Sequence, residues 1–279
     1  MSILTNLVIT ALIKNWKIIG WAGIMVKVAL FANGLVGLEV TRFLVKNNEK
    51  IVKLYLHDPN NQRYAKEIIK SSKCSDENII LASNIYKEKN IEKLKNANPD
   101  FIITVYWSHI LKPILFNIAK IGSINFHPAL LPINRGWYPH VHSIVTGNPF
   151  GVTLHCLEEK PDAGPIWVQK EVFMQETDTA FEIYLKLQKE IIKLFKNNWS
   201  KIKNGLIKPY KQDETKAIYH RKNEIDNLDY IDINKSYKAR ELINILRARS
   251  YGKKGFAYYE NDKGEKIYLN LSLNKKIDF

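Results

Sequence analysis

I-N-F-H-P-A-L-L-P-I-N-R-G-W-Y-P, residues 124–139, and G-V-T-L-H-C-L-E-E-K-P-D-A-G-P-I, residues 151–166, carry both the fold and the chemistry of this chain. Gly122-Ser123-Ile124-Asn125-Phe126-His127 alternates, so a strand here turns Asn125 and His127 to one side and Phe126 to the other. Pro128 has no amide hydrogen for a ladder and ends the strand. Asn134-Arg135-Gly136 is a loop of turn formers, residues 152–157 read as a second strand, and Pro161-Asp162-Ala163-Gly164-Pro165 reads as the turn after it. Open α/β sheets bind their ligands at the carboxyl ends of strands, and Asn125, His127 and Asp162 all fall there. An amide, an imidazole and a carboxylate meeting at one point can polarise a carbonyl and move protons around it, which is the equipment of acyl transfer. The bland alternative is a buried polar cluster tying two loops together.

The α/β rhythm extends outward in both directions. Residues 26–31 form an apolar strand, Asn33-Gly34-Leu35-Val36-Gly37 a glycine turn, residues 38–47 a helix and residues 51–56 a further strand. N-G-x-x-G is only part of a dinucleotide fingerprint, and a glycine turn feeding a helix is often packing alone. Phe101–Val105 is an apolar strand that runs into Tyr106-Trp107-Ser108-His109-Ile110-Leu111. Ile183, Leu187, Ile191 and Leu194 recur at helical spacing within residues 181–203, so that stripe is core. Beyond Gly205, residues 238–249 read as a helix, and residues 256–260 and 266–271 as a hairpin around the turn Asn261-Asp262-Lys263-Gly264.

Composition bounds the function. With 279 residues and 46% apolar content, one large or two modest domains have ample core. Cys74 and Cys156 lie far apart without metal-ligand spacing, as expected of a reduced cytoplasmic protein rather than a disulfide framework. His140 and His142 make an H-x-H pair with no Cys or carboxylate set nearby in sequence, so no metal is expected. The net charge of +14 is spread over scattered lysines without a basic block. Such a field attracts anionic ligands but does not separate tRNA from a nucleotide. Residues 1–24 hold apolar runs broken by Lys14, Asn15 and Lys17, short of the about 18 residues that span a bilayer and without a basic n-region. They are expected to be an extension ahead of a start at Met25, with a helix packed on the domain or lying on a membrane as the alternative; stable membrane insertion is not expected.

N-x-H-P-x-L-L-P-x-x-R-G, then G-V-T-x-H, then D-x-G-x-I resembles the signature of the folate-dependent formyltransferases, well over residues 25–200 and more weakly beyond. The resemblance implies an α/β fold: a Rossmann-like formyltransferase domain over residues 25–204, and a small C-terminal helix plus β-hairpin subdomain over residues 205–279. It implies that Asn125, His127 and Asp162 are catalytic, that 10-formyltetrahydrofolate is the formyl donor, and that no metal takes part. Asn125 and a protonated His127 would then donate to the formyl oxygen, with Asp162 favouring the imidazolium. By the same resemblance Tyr106, Ile110, Leu131, Glu159 and Asp162 face the folate. Asn33, Arg135, Trp137 and Tyr138 face the amine-bearing substrate, with nearby donors on its pyrophosphate.

The short tail leaves little room for the longer barrel that tRNA formyltransferases carry. It resembles that of the nucleotide-sugar N-formyltransferases, where the hairpin commonly supports a dimer. The resemblance thus implies a cytoplasmic homodimer acting on a nucleotide-linked amino-deoxy sugar rather than a nucleic acid. The first candidate is dTDP-4-amino-4,6-dideoxyglucose, destined for O-antigen or another surface polysaccharide. Methionyl-tRNA, a 3-amino sugar and a UDP-linked sugar stand as alternatives.

Overall fold

The computed structural model describes residues 25–275, so the expectations for residues 1–24 lie outside the described residues. Five strands, β1 (Lys27–Ala32), β2 (Lys50–Leu56), β3 (Ile79–Leu81), β4 (Phe101–Val105) and β5 (Gly122–His127), run parallel. The short β6 (Arg135–Gly136) stands apart, and β7 (Gly151–His155) and β8 (Ile166–Glu171) extend the sheet antiparallel, giving the order β3-β2-β1-β4-β5-β7-β8. The central strands are unbroken apolar runs because both their faces are covered. Val28 and Leu30 pack on one side with helices α1 (Gly34–Lys46), α2 (Ala65–Ser72) and the long helix Ala180–Lys203, whereas Ala29 and Phe31 pack on the other with α3 (Glu88–Ala97) and α4 (Pro113–Phe116). Between β6 and β7 lies α5 (Pro139–Thr146), and α6 spans Ala180–Lys203.

α6 carries the stripe foreseen for it. Ile183, Leu187 and Ile191 are fully buried, Leu194 is nearly so and Phe195 joins them, and a capping box pairs Thr179 with Glu182 at its start. α1 begins four residues earlier than the sequence pattern suggests, because N-G-L-V-G reads as a turn. Gly37 is inside the helix for a packing reason: a Cβ there would stand 3.2 Å from Ala32, tighter than an ordinary Cβ contact, so a side chain would push the helix away from β1.

The segment after α6 departs most from expectation. Residues 210–220, assigned by sequence to the C-terminal subdomain, run back over the loops at the carboxyl end of the sheet. Tyr210 pairs with Ile166, and β9 (Tyr219–His220) pairs in parallel with β6. α7 (Ala239–Ala248) follows and packs on α5, and its buried Arg247 donates to the carbonyls of Asp178 and Gln175. Two small ladders close the chain, β10 (Ser250–Tyr251) with β11 (Lys254–Gly255) and β12 (Tyr258–Glu260) with β13 (Lys266–Tyr268). The second is the expected hairpin, shorter by a few residues at both ends.

One buried carboxylate joins the first strand to the longest helix. Glu49 accepts from the Val26 N–H at 2.9 Å, the Trp199 indole N–H at 2.9 Å and Lys203 Nζ at 2.6 Å. Removing the acceptor leaves the buried Val26 and Trp199 N–H groups without it and takes one carboxylate contact from Lys203. Glu49→Ala is therefore expected to lose about 3–5 kcal/mol of stability, the usual cost of breaking a buried ion pair. Chemical denaturation beside the wild type checks this; an unchanged midpoint would mean that apolar contacts alone hold α6.

Candidate active site

The pairing of β5 with β7 builds the site. Asn125 lies directly opposite His155 and His127 opposite Thr153, so alternation sends all of the polar side chains to one face. Asn125 Nδ2 donates to His155 Nε2 at 2.9 Å, and its Oδ1 accepts from the Thr104 hydroxyl at 2.6 Å. Asp162, in the left-handed region at φ 54°, brings its carboxylate back over the strand ends. Its Oδ1 stands 3.4 Å from Asn125 Nδ2, 3.4 Å from His127 Nδ1 and 3.5 Å from His155 Nε2. Its Oδ2 accepts from the Gly136 N–H at 2.9 Å. The three side chains singled out by sequence therefore converge, with His155 as a fourth member.

Hydrogen bonds fix which nitrogen does what. The Asn134 carbonyl can only accept, so His127 Nε2, at 3.1 Å, carries the proton and Nδ1 faces Asp162. In the same way His155 Nδ1 donates to the Cys156 carbonyl at 2.7 Å, which leaves Nε2 to accept from Asn125. Burial holds the His127 imidazole below its usual range, against the pull of Asp162. Burial also pushes the Asp162 carboxyl up, but His127, His155 and the Gly136 N–H outweigh it and hold the group well below the usual carboxylate range. At neutral pH the acid is ionised and His127 is neutral.

The residues expected around this centre divide into two groups. Trp137 is 40% exposed with Lys222 Nζ 5.3 Å from its ring, and Tyr138 lies half-buried beside it at the start of α5. Ile110 and Glu159 are exposed. Tyr106 packs against Tyr184, its hydroxyl buried without a partner. Three of the expected residues are engaged within the chain. Arg135 is fully buried, and its guanidinium is consumed by Gln212, Glu214 and the Tyr219 hydroxyl, so it holds no pyrophosphate. Leu131 is buried, with its N–H given to Thr153 and its carbonyl to Gln169, so it offers folate no free group. Asn33 gives its amide to the Arg63 N–H at 2.8 Å and the Asn61 carbonyl at 3.2 Å, which pins that loop.

Arg135 instead anchors a strap. Gln212, held by Arg135, donates to the carbonyls of Asp162 at 2.9 Å and Gly164 at 2.7 Å, and the Tyr219 hydroxyl donates to Pro161. The chain thus clamps the Asp162 turn and the Arg135 loop from outside. Among the described residues, one group has ligand atoms close enough to hold a metal ion: His142, His220 and Glu224. Local spacing missed it because its members meet only in three dimensions. The two rings stack flat at 3.5 Å and 4°, so their lone pairs lie in parallel planes, and both His220 nitrogens already have partners. That geometry suits packing better than ligation.

Residues 27–197 match the formyl transferase family, and residues 224–275 match the N-formyltransferase dimerization C-terminal domain. The chain is similar to a methionyl-tRNA formyltransferase of Bacillus velezensis, 36% identical over 54% of this chain and 49% of that protein. It is also similar to a dTDP-4-amino-4,6-dideoxyglucose formyltransferase of Mycobacterium bovis, 29% identical over 56% of this chain and 66% of that protein. The match thus spans from half to just under two-thirds of these relatives' lengths. Among solved structures, a 4-N formyltransferase from Francisella tularensis superposes with a TM-score of 0.78 at 28% identity, over 91% of this chain and all of that one. A formyltransferase from Anoxybacillus kamchatkensis, solved with UDP-4,6-dideoxy-4-formamido-L-AltNAc and tetrahydrofolate, gives 0.52 at 27% identity over 72% of this chain and 88% of that one. The chain belongs to the formyl transferase family.

Proposed function

We propose that the chain transfers a formyl group from 10-formyltetrahydrofolate to the amino group of a nucleotide-linked amino-deoxy sugar, with dTDP-4-amino-4,6-dideoxyglucose as first candidate. The observation that carries this is the meeting of Asn125, a neutral His127 and an ionised Asp162 around one point. Asn125 gives one N–H to His155 and the second, at 3.4 Å, to Asp162, and this longer bond is the one that can be exchanged for the oxygen of a bound formyl group. The folate supplies the formyl group and departs as tetrahydrofolate. His127 Nδ1 accepts the proton that the sugar amine loses as its nitrogen bonds to the formyl carbon. Asp162 stabilises the imidazolium so formed, which then returns the proton to the departing nitrogen.

Several features support a sugar as the acceptor. The similarity to the Francisella 4-N formyltransferase extends through the whole of that chain. Exposed Trp137 offers a flat face for a base or hexose, and Lys222 a cation beside it. The C-terminal match, together with exposed Ile267 and Tyr268 on the hairpin, supports a homodimer. No helix among the described residues is long and apolar enough to cross a membrane. The proposal includes a cytoplasmic enzyme whose product enters a surface polysaccharide such as O-antigen. The 36% identity to a methionyl-tRNA formyltransferase supports one second reading, formylation of charged tRNA. Incubation with 10-formyltetrahydrofolate and a panel of dTDP- and UDP-linked 3- and 4-amino sugars, followed by mass spectrometry, separates the two. Formylation of methionyl-tRNA and of no sugar would reverse the choice.

On this mechanism, His127→Ala and Asn125→Ala each lower turnover on the order of a hundredfold or more, the effect of losing one oxyanion donor or the base. Steady-state formylation rates check it, and near-wild-type rates would remove both residues from the chemistry. The depressed pKa of His127 adds a pH expectation. The neutral, competent ring should persist below the ordinary histidine midpoint of about 6.5 and be lost only as pH falls further. An NMR titration of the His127 ring reads this directly, free of the amine's own ionisation; a midpoint above that value would make the imidazolium the resting form.

A further inference from the structure

Behind His127 stands a second histidine that no part of the proposed chemistry uses. Asn134 gives His127 its acceptor, and this residue is 1% exposed with a left-handed backbone at φ 58°. Its side chain is clamped at both ends. Nδ2 donates to the Ser143 hydroxyl at 2.6 Å and more weakly to the Pro139 carbonyl at 3.4 Å, which leaves Oδ1 facing His220 Nε2 at 2.9 Å. Since Oδ1 only accepts, His220 Nε2 donates. On its other side His220 Nδ1 faces the Glu224 carboxylate at 3.0 Å, so both ring nitrogens are placed to donate. The buried ring of His142 lies flat against it at 3.5 Å and fixes its tilt.

The backbone of His220 works on the same loop. Its carbonyl accepts from the Trp137 N–H at 3.0 Å, and it pairs with Gly136 in the β6–β9 ladder. A Cβ on Gly136 would stand 2.3 Å from that carbonyl, so the close approach requires glycine. Gly136 in turn gives its N–H to Asp162. One residue therefore supports two members of the catalytic group, each through a neighbour in the 134–136 loop. It lies in neither matched region, falling after residue 197 and before residue 224.

We propose that His220 is a positioning residue: through Asn134 it holds His127 as the Nε2–H tautomer, with Nδ1 turned to the reacting amine. The inference rests on the assignment of His127 as the base. His220 touches neither substrate, so its loss should reach kcat and spare KM. Without its ring, Asn134 Oδ1 loses its donor, the amide is held only through Nδ2, and the carbonyl that selects the His127 tautomer drifts.

The experiment combines kinetics with ¹⁵N-histidine NMR on the full chain. His220→Ala should lower kcat about tenfold or more, the usual effect of removing the partner that orients a working histidine, with both KM values unchanged. His220→Gln, whose amide can reach Asn134 with an N–H, should recover most of the loss. In the wild type the His127 resonances should report the Nε2–H tautomer, and in His220→Ala a mixture. Wild-type kcat in His220→Ala would overturn the proposal, as would a loss that His220→Gln does not recover while the His127 tautomer stays unchanged. A wild-type His127 in the Nδ1–H form would overturn it even if the alanine variant failed to fold. Stoichiometric zinc that depends on His142, His220 and Glu224 would also overturn it, since Nδ1 of His220 would then be a ligand. A wild type inactive on every amine, yet with the expected tautomer, would count against formyl transfer and leave the hydrogen-bond relay standing.

Discussion

A carboxylate buried among three side-chain nitrogens is the constraint around which this molecule is arranged. Asp162 has left water, and burial alone would keep its proton on. The anion is favoured by a proton taken up on His127 or His155 and by the Gly136 N–H, and each of those groups must be delivered from a different part of the chain. β5 brings one, β7 brings the second and the loop after β5 brings the third. Register matters as much as identity. A slip of one residue between β5 and β7 would turn Asn125 and His155 to opposite faces and leave the acid without its company.

The same logic gives His127 and Asp162 unlike protonation states within hydrogen-bonding range. Desolvation acts against charge on both groups. The acid has several partners that favour its anion, whereas the ring has two, Asp162 and the Asn134 carbonyl, opposed by burial and by the neighbouring His155 and Arg135. An ionised acid next to a neutral base is what a proton shuttle needs before its substrate arrives. Holding that state requires a fixed tautomer, and hence an acceptor behind the ring that does not rotate.

Much of this was legible beforehand. The apolar runs at β1 and β4 declared buried parallel strands, Pro128 marked the end of β5, and Asn125, His127 and Asp162 stood in a pattern specific enough to name together. What stayed hidden was long-range. His155 sits within a quoted motif, yet only antiparallel pairing puts it beside Asn125. Arg135 looked like a hand for phosphate because arginine in a glycine loop often is; its partners Gln212, Glu214 and Tyr219 come from a stretch with no periodic signal. Leu131 and Asn33 misled for a related reason. A loop residue near a ligand site can be part of the wall, with every polar group already spent on its neighbours.

The strap over residues 210–220 sets where this architecture can be cut and rejoined. A seam chosen at the end of α6 would carry Gln212, Tyr219 and His220 away with the tail and leave the Asp162 turn uncovered. A seam after His220 keeps them with the sheet that they brace. A hybrid given another tail must therefore keep this connector with the Rossmann half, or else supply a new brace for the turn that bears the acid.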